Sequence, residues 1–400
     1  MKDSEGKGPS IIVLGSRGIP NVPGGVEMHV SELYPRLVAL GARVTVLGRS
    51  PYRPANSPQT WKGVDVRWLW SPRLQGVEAL VHTFLGVLYA AVRRPDALHI
   101  HAVGPSLFAP LAKLCGLKVV VTHHGQDYMR EKWKAPARAV LRMGEYFGMT
   151  FSDERIVISK GILELARTKY HRDAALIPNG VADLVPKTDH GQLAKYGLDR
   201  YRYVIQVSRL VPEKRQLDLI AAFKAANLPG WKLLLVGGAQ GSQSYAAQVR
   251  RQCSDNDAII GTGFLPPQQV HELLLNAGIF VIPSSHEGLP ISLLEAMKLG
   301  TPVLASDIPA NLEVGLDKSS YFRVGDIQTL ATRLHELAAL NPEEREQMGR
   351  LLTKSCDRYD WDAIAESTLK VLERASSGRQ VVILPSDRRA APRLGPSYRR

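Results

Sequence analysis

A short apolar run closed by proline, Ile279-Phe280-Val281-Ile282-Pro283, passes into a polar loop and then into the apolar-periodic stretch Ile291 to Met297. A β-branched run of this length bounded by proline reads as a buried parallel strand. Pro290 suits the first turn of a helix, where a missing N–H costs nothing, and Gly300 marks the helix end. The segment is therefore a strand–loop–helix unit, and it commits this part of the chain to a layered α/β fold. It also carries two carboxylates eight positions apart. Glu287 falls in the loop and Glu295 about one and a half turns into the helix. Around Gly288 and Leu289 the helix start offers free backbone N–H groups, which favour an anion. The guest that suits this chemistry is an anion with hydroxyls beside it.

Four hundred residues exceed one ordinary core and fit two domains of about 150–200 residues. Apolar content of 44% with 22% charged residues is that of a globular protein. Cys115, Cys253 and Cys356 are scattered and odd in number, which argues against a disulfide framework or a zinc site and fits a reducing cytoplasm. The polar stretch Met1 to Ser10 shows no signal peptide. The longest apolar run, Thr83 to Val92, is about half of a membrane span. A cytoplasmic protein that does not cross the bilayer is expected.

Charge is unevenly placed. Residues 1–185 hold 24 Lys+Arg against 15 Asp+Glu, residues 186–375 hold 21 against 22, and residues 376–400 hold 6 against 1. Nucleic acid is not an expected partner, because no nucleic-acid module and no aromatic-studded basic repeat is present. A basic domain on a neutral one suits an anionic membrane face and a phosphate-bearing acceptor better.

Along the chain, strand Ile11–Gly15, a loop, helix Gly25–Leu40 and strand Val44–Gly48 make a βαβ opening with its functional loop after the first strand. That loop is not a Gly-x-Gly-x-x-Gly fingerprint, so a nicotinamide cofactor is not expected. Gly24-Gly25 at the helix start lets a ligand approach the backbone closely. Strands Ala97–Ala102 and Lys118–Thr122 alternate with a helix over Pro105–Cys115, and a polar cluster, His123-His124-Gly125-Gln126-Asp127, follows the second of them. For a metal, Asp127 is the one local third ligand beside the two histidines, and no metal is expected. Residues 182–200 read as an interdomain linker. A second α/β run follows: Tyr203–Val207, helix Arg215–Ala226, Trp231–Val236, Ala258–Thr262 and helix Pro267–Ala277. Asp360 to Ala375 is one long amphipathic helix. Disorder is expected for residues 1–9 and for the Arg-, Pro- and Ser-rich residues 376–400.

Val207-Ser208-Arg209-Leu210-Val211-Pro212-Glu213-Lys214 places two cations between an apolar strand and a helix. Fixed cations there stabilise developing negative charge without a metal. Asp255-Asn256-Asp257 matches the Asp-x-Asp string of metal-dependent sugar transfer, but its position between a helix and a strand reads as an ordinary turn.

Taken together, Pro-Ser-x-x-Glu-Gly-x-Pro with Glu-Ala-Met and Gly-Thr-Pro-Val (residues 283–303), the Arg209/Lys214 segment, Gly24-Gly25-Val26-Glu27 and Thr122-His123-His124-Gly125 resemble glycosyltransferase family 4, the retaining GT-B enzymes. The N-terminal strings further resemble a bacterial capsule and exopolysaccharide subgroup that includes rhamnosyltransferases. The resemblance implies two Rossmann-like domains facing across a cleft: acceptor-side residues 10–185 and nucleotide-sugar-binding residues 186–357. It also implies that a helix over 358–375 returns to the first domain. It implies transfer of a sugar from a nucleotide-diphosphate donor to a lipid-linked or oligosaccharide acceptor, with no cofactor. Arg209 and Lys214 then hold the donor diphosphate, Glu287 contacts the sugar hydroxyls and Glu295 the ribose. His124 lies near the transferring sugar, Gly24, Gly25, Gly288 and Leu289 contact the donor, and Glu27, His123 and Asp127 face the acceptor. The implied step is a front-face substitution in which the departing phosphate takes the acceptor's proton. Two other readings stay open: a GT-B nucleotide-sugar epimerase, and a non-catalytic sugar-nucleotide or glycan-binding module.

A last segment carries a membrane reading. Trp133, Ala137, Val140, Leu141 and Gly144 to Phe147 lie near one side of a helix interrupted early by Pro136, with Lys132, Lys134, Arg138 and Arg142 in the same stretch. Such a segment suits peripheral attachment to an anionic surface, although an ordinary helix with a buried stripe has the same pattern.

Overall fold

The computed structural model describes residues 8–22, 24–55, 57–74, 76–129, 133–181, 191–239 and 243–377. Eight strands form the first sheet: β1 (Ser10–Leu14), β2 (Arg43–Arg49), β3 (Thr60–Trp61), β4 (Val64–Leu69), β5 (Ala97–His101), β6 (Val119–His123), β7 (Glu154–Val157) and β8 (Ala175–Leu176). Their order is β3-β4-β2-β1-β5-β6-β7-β8, parallel except for the β3–β4 pair. The second sheet holds β9 (Tyr203–Val207), β10 (Lys232–Val236), β11 (Ile259–Gly263), β12 (Ile279–Ile282), β13 (Val303–Ser306) and β14 (Tyr321–Phe322). It is parallel throughout, in the order β11-β10-β9-β12-β13-β14. The near-continuous apolar runs explain this, since Ile11–Leu14 and Ile279–Ile282 are buried on both faces of their strands. Each sheet changes direction beside its first strand, at β1 between β2 and β5 and at β9 between β10 and β12. Ligands bind outside the carboxyl ends of strands at such switch points.

The helix Gly25–Ala39 buries Val30, Leu33, Tyr34 and Leu37 on the first sheet. The helix Trp361–Ser377 lies beside it, so the chain's last described helix belongs to the first core. Trp361 is 2% exposed there, and Arg36 Nε meets Asp362 Oδ1 at 2.8 Å. Gly180, on the segment passing between the domains, lies against the Trp361 indole. A Cβ at Gly180 would come within 2.5 Å of that ring. Val181 N–H then donates to the Tyr359 carbonyl at 2.8 Å.

Some sequence expectations need correction. Of the 182–200 linker, residues 182–190 lie outside the described residues, and Gly191–Tyr196 is a short helix whose Leu193 is buried. Pro105–Cys115 is not one helix. A 3-10 turn covers Pro105–Phe108, and the α-helix starts at Ala109, with Pro110 in its first turn where no N–H is needed. Pro136 likewise opens the helix Ala135–Phe151 instead of interrupting it. The apolar side of that helix is turned inward, with Gly144 against Val103, Gly148 against Ser106 and Leu141 near Gly104. Lys132 lies outside the described residues. The last helix runs through Ser377, so the expected disordered tail loses its first two residues to helix, and 378–400, like 1–7, lie outside the described residues.

Candidate active site

Three carboxyl-edge loops of the second sheet are tied to one another. Leu210 N–H donates to the Gly238 carbonyl at 3.0 Å. Gly237, at φ +140°, brings its backbone so close that a Cβ would stand 1.9 Å from the Ser208 oxygen. Ser285 N–H donates to the Glu213 carbonyl at 2.9 Å, joining the β12 loop to the β9 loop. Two buried amides hold the turn between them. Gln206 Nε2 donates to the Lys214 carbonyl and Gln216 Nε2 to the Arg209 carbonyl, each at 2.8 Å. Arg209 and Lys214 thus leave one braced turn, and Lys214 Nζ donates to Glu287 Oε1 in a largely buried ion pair. Glu295 is placed apart from that pair. Its Oε1 meets His271 Nε2 at 3.1 Å, and the two border a small cavity with Met28, Glu32, Gly180 and Trp361.

The first domain presents its own carboxyl-edge loops. Gly24 sits at the helix start with φ +151°, where a Cβ would collide with Glu27 and Arg17, while a Cβ at Gly25 would meet nothing within 4 Å. Gly25 is therefore the open position and Gly24 the packed one. Glu27 is buried and committed to Arg17, at 3.0 Å from Nε and from Nη2, with the Arg17 N–H donating to it at 2.9 Å. Burial raises the Glu27 pKa, but Arg17 outweighs this and holds the carboxyl below its ordinary range. Asp127 is half-buried in a 3-10 turn.

His123 and His124 part company because successive strand residues face opposite sides. His123 Nε2 meets Glu145 Oε1 at 2.9 Å, and Gly125 N–H donates to its Nδ1 at 3.1 Å. Both ring nitrogens are engaged inside the domain, which corrects the expectation that His123 faces an acceptor. Glu145, which the sequence reading overlooked, also accepts from Lys169, Tyr128 and Tyr170. Burial pushes its pKa up, yet those hydrogen bonds, His123 first, bring it down to about 2.

His124 turns to the other side, where its Nε2 meets His101 Nδ1 at 2.8 Å and its ring stands edge-on to His29 at 4.8 Å. His29 Nδ1 meets Asn179 Oδ1 at 3.0 Å, and Asn179 Nδ2 donates to the Leu289 carbonyl at 2.9 Å. Gly288 approaches so closely that a Cβ would stand 2.2 Å from the His124 oxygen. Leu289 and Gly288 thereby seal the two domains together beside His124 and Glu287. His29, Asn179 and His101 were missed in the sequence. The His-x-His spacing of His99 and His101, which puts both rings on one strand face, was the available signal.

Among the described residues, His29, His101 and His124 are the group that could hold a metal ion, with ligand atoms within 4.8 Å of one another. His101 Nδ1 and His124 Nε2 are hydrogen-bonded to each other, and Asp127 is not part of the group. Asp255-Asn256-Asp257 is a turn at the amino edge of β11, with Ala258 N–H donating to Asn256 Oδ1 at 2.9 Å.

Two doubly wound domains whose carboxyl-edge loops meet across one cleft define the GT-B class. Residues 24–180 match the model of a glycosyl transferase 4-like domain, and residues 192–353 that of glycosyl transferases group 1. Together these take in most of the chain, which belongs to the group 1 glycosyltransferases. An alpha-maltose-1-phosphate synthase of Mycolicibacterium smegmatis is 27% identical over 90% of this chain and 97% of its own. A UDP-Gal:alpha-D-GlcNAc-diphosphoundecaprenol alpha-1,3-galactosyltransferase of Escherichia coli is 26% identical over 54% of this chain and 59% of its own. Among solved structures, Anabaena HepE in complex with UDP and glucose superposes with a TM-score of 0.75 at 18% identity, covering 91% of this chain and 99% of that one.

The histidines make stability depend on pH. Burial pushes His29 down to about 4 against the pull of its Asn179 hydrogen bond, and pushes His99 down to about 3. Burial and neighbouring rings hold His101 and His124 well below the ordinary value. An unfolded chain binds protons at these sites at about pH 6.5, where the folded protein does not. Stability is therefore fully present above about pH 6.5 and is lost as pH falls toward the folded pKa values. The melting temperature should drop steeply between about pH 6.5 and 4. A flat profile there would show that these rings are not held neutral.

Proposed function

We propose that this protein moves a sugar from a nucleotide-diphosphate donor to a lipid-linked or oligosaccharide acceptor in bacterial surface-polysaccharide synthesis, with retention at the anomeric carbon and without a metal. The observation that carries the reading is the sealing of the Gly288–Leu289 loop onto His124, which sets Lys214 and Glu287 beside the first domain. In this reading Arg209 and Lys214 stabilise the diphosphate as its negative charge develops, a service that preorganised cations perform without reorganisation. Glu287, held in place by Lys214, accepts hydrogen bonds from sugar hydroxyls, and Glu295 from the ribose. Retaining hydrolases place a nucleophilic carboxylate about 5 Å from the acid. Glu287 is instead paired with a cation, which favours the front-face step, in which the departing phosphate oxygen takes the acceptor's proton. The UDP and UDP-Gal in the relatives' names support a nucleotide-sugar donor, and the diphosphoundecaprenol in one of them supports a lipid-linked acceptor.

The acceptor side fits a membrane surface in part. On the helix Val77–Arg93, Val77, Phe84, Leu88 and Val92 form an exposed apolar stripe, and on Ala135–Phe151 the basic Arg142 stands exposed beside Met143 and Tyr146. No described helix is long and apolar enough to cross a membrane.

Lys214→Ala and Arg209→Ala should each cost about 2–4 kcal/mol of transition-state stabilisation with melting unchanged. Near-normal turnover at saturating donor in either variant removes the diphosphate assignment, and activity lost on chelation and restored by manganese removes metal independence. Glu295→Gln should weaken nucleoside-diphosphate binding, whereas Glu287→Gln should chiefly lower kcat for the intact donor. Wild-type nucleotide affinity in both would refute the ribose role of Glu295. The protein should bind anionic vesicles and leave them at high salt, and equal partition onto neutral vesicles would rule out electrostatic docking.

A further inference from the structure

Behind His124 runs an unbroken line of hydrogen bonds. Thr122 Oγ1 meets His99 Nε2 at 2.7 Å, His99 Nδ1 meets Tyr34 Oη at 2.9 Å, Tyr34 Oη meets His101 Nε2 at 2.5 Å, and His101 Nδ1 meets His124 Nε2 at 2.8 Å. All but His124 are fully buried. The alternation of β5 puts His99 and His101 on one face, and the register of β5 with β6 sets Thr122 opposite His101.

Each neutral imidazole carries one N–H and one lone pair, and the tyrosine hydroxyl carries one hydrogen. Four contacts through such groups can be satisfied in three ways. The one in which Tyr34 accepts from both rings leaves its own buried hydrogen without another partner among the described residues, which is costly. Two remain. If Tyr34 donates to His101 Nε2, His101 must carry its hydrogen on Nδ1 and give it to His124 Nε2, so His124 carries Nδ1–H. His99 then donates from Nδ1 to Tyr34 and accepts from Thr122 at Nε2. If Tyr34 donates the other way, every hydrogen moves to the opposite nitrogen, and His124 is left with a bare Nδ1 lone pair.

Thr122 breaks the tie. In the second arrangement its hydroxyl accepts from His99, and its own hydrogen has no other partner among the described residues. A buried unpaired donor is costly, whereas the first arrangement leaves none along the chain.

We propose that the Thr122–His99–Tyr34–His101 chain fixes His124 as the Nδ1–H tautomer, so that the cleft presents a hydrogen-bond donor there and takes a substrate oxygen that accepts. Tyr34, His99 and His101 are thereby positioning residues. This rests on the proposed place of His124 in the active site. Burial keeps His99, His101 and His124 uncharged near neutral pH, as this count of hydrogens requires. His29 shares the Nδ1–H form for a separate reason, because Asn179 Nδ2 is committed to Leu289 and its oxygen can only accept. His123 supplies the internal contrast. Its Nδ1 accepts from Gly125 and its Nε2 faces a carboxylate, so it carries Nε2–H.

The test is two-bond proton–nitrogen correlation on the full-length protein with ring-nitrogen-labelled histidine, assigned by single histidine substitutions. His99, His101 and His124 should all show Nδ1–H, and His123 Nε2–H. Any one of the three in the Nε2–H form overturns the proposal, and the wild type alone suffices for that reading. Tyr34→Phe should then mix the tautomers of His101 and His124 and lower kcat about tenfold at unchanged donor KM, as one lost hydrogen-bond preference implies. Unmoved tautomers in Tyr34→Phe also overturn it. If the wild type transfers no sugar while the three rings keep one tautomer, the functional reading fails and the tautomer assignment stands.

Discussion

Gly288 and the carbonyl of His124 occupy space that a single methyl group would close. The two residues belong to different domains, and no side chain separates them. That approach draws the β12 loop across the cleft, where Asn179 catches the Leu289 carbonyl and, through His29, ties it to the first helix. Glu287 is the neighbour of Gly288, so the position of the Lys214–Glu287 pair relative to the first domain follows from this contact. A close backbone approach of this kind works only where glycine is present, and it converts a flexible loop into a fixed part of the wall.

The cleft joins two electrostatic styles. On the second-domain side, charge is present and paired: Lys214 with Glu287, and the Arg209 turn braced by buried amides. On the first-domain side, the rings of His29, His101 and His124 that cluster behind the His124 backbone are neutral imidazoles kept uncharged by burial. An anionic leaving group and a neutral sugar need different surroundings, and a low-dielectric wall strengthens the fixed charges opposite it.

Much of this could be read from residues alone, and the limits have physical causes. Apolar runs such as Tyr203–Val207 and Ile279–Ile282 announced buried parallel strands, and Glu287 and Lys214 were each read in a loop after such a strand, while their pairing was not. Local pattern did not reveal that His29, Tyr34, His99, His101 and His124 converge, because three segments far apart in the chain supply them: the first helix, β5 and the end of β6. It also misjudged His123, since a histidine pair at a strand end must split between two faces. The short helix Gly191–Tyr196 was read as linker because it buries only Leu193 and so shows no apolar period. The helix Ala135–Phe151 was ambiguous for the opposite reason: a basic helix packed inward and one lying on a membrane share the same periodicity.

The first domain's core is not made of first-domain sequence alone. Trp361, Ile364, Val371 and Leu372 complete the same apolar cluster as Val30, Leu33 and Leu37, although more than three hundred residues separate them in the chain. During synthesis, the domain that emerges first therefore waits for a helix that follows the second domain, and until then the flank of its first helix and the stretch of β5, β6 and β7 that this helix covers are open to solvent. Severing the chain between the two sheets would not yield two independent folding units. The first would lack its cover, and the second would carry a helix whose apolar side had nothing to pack on.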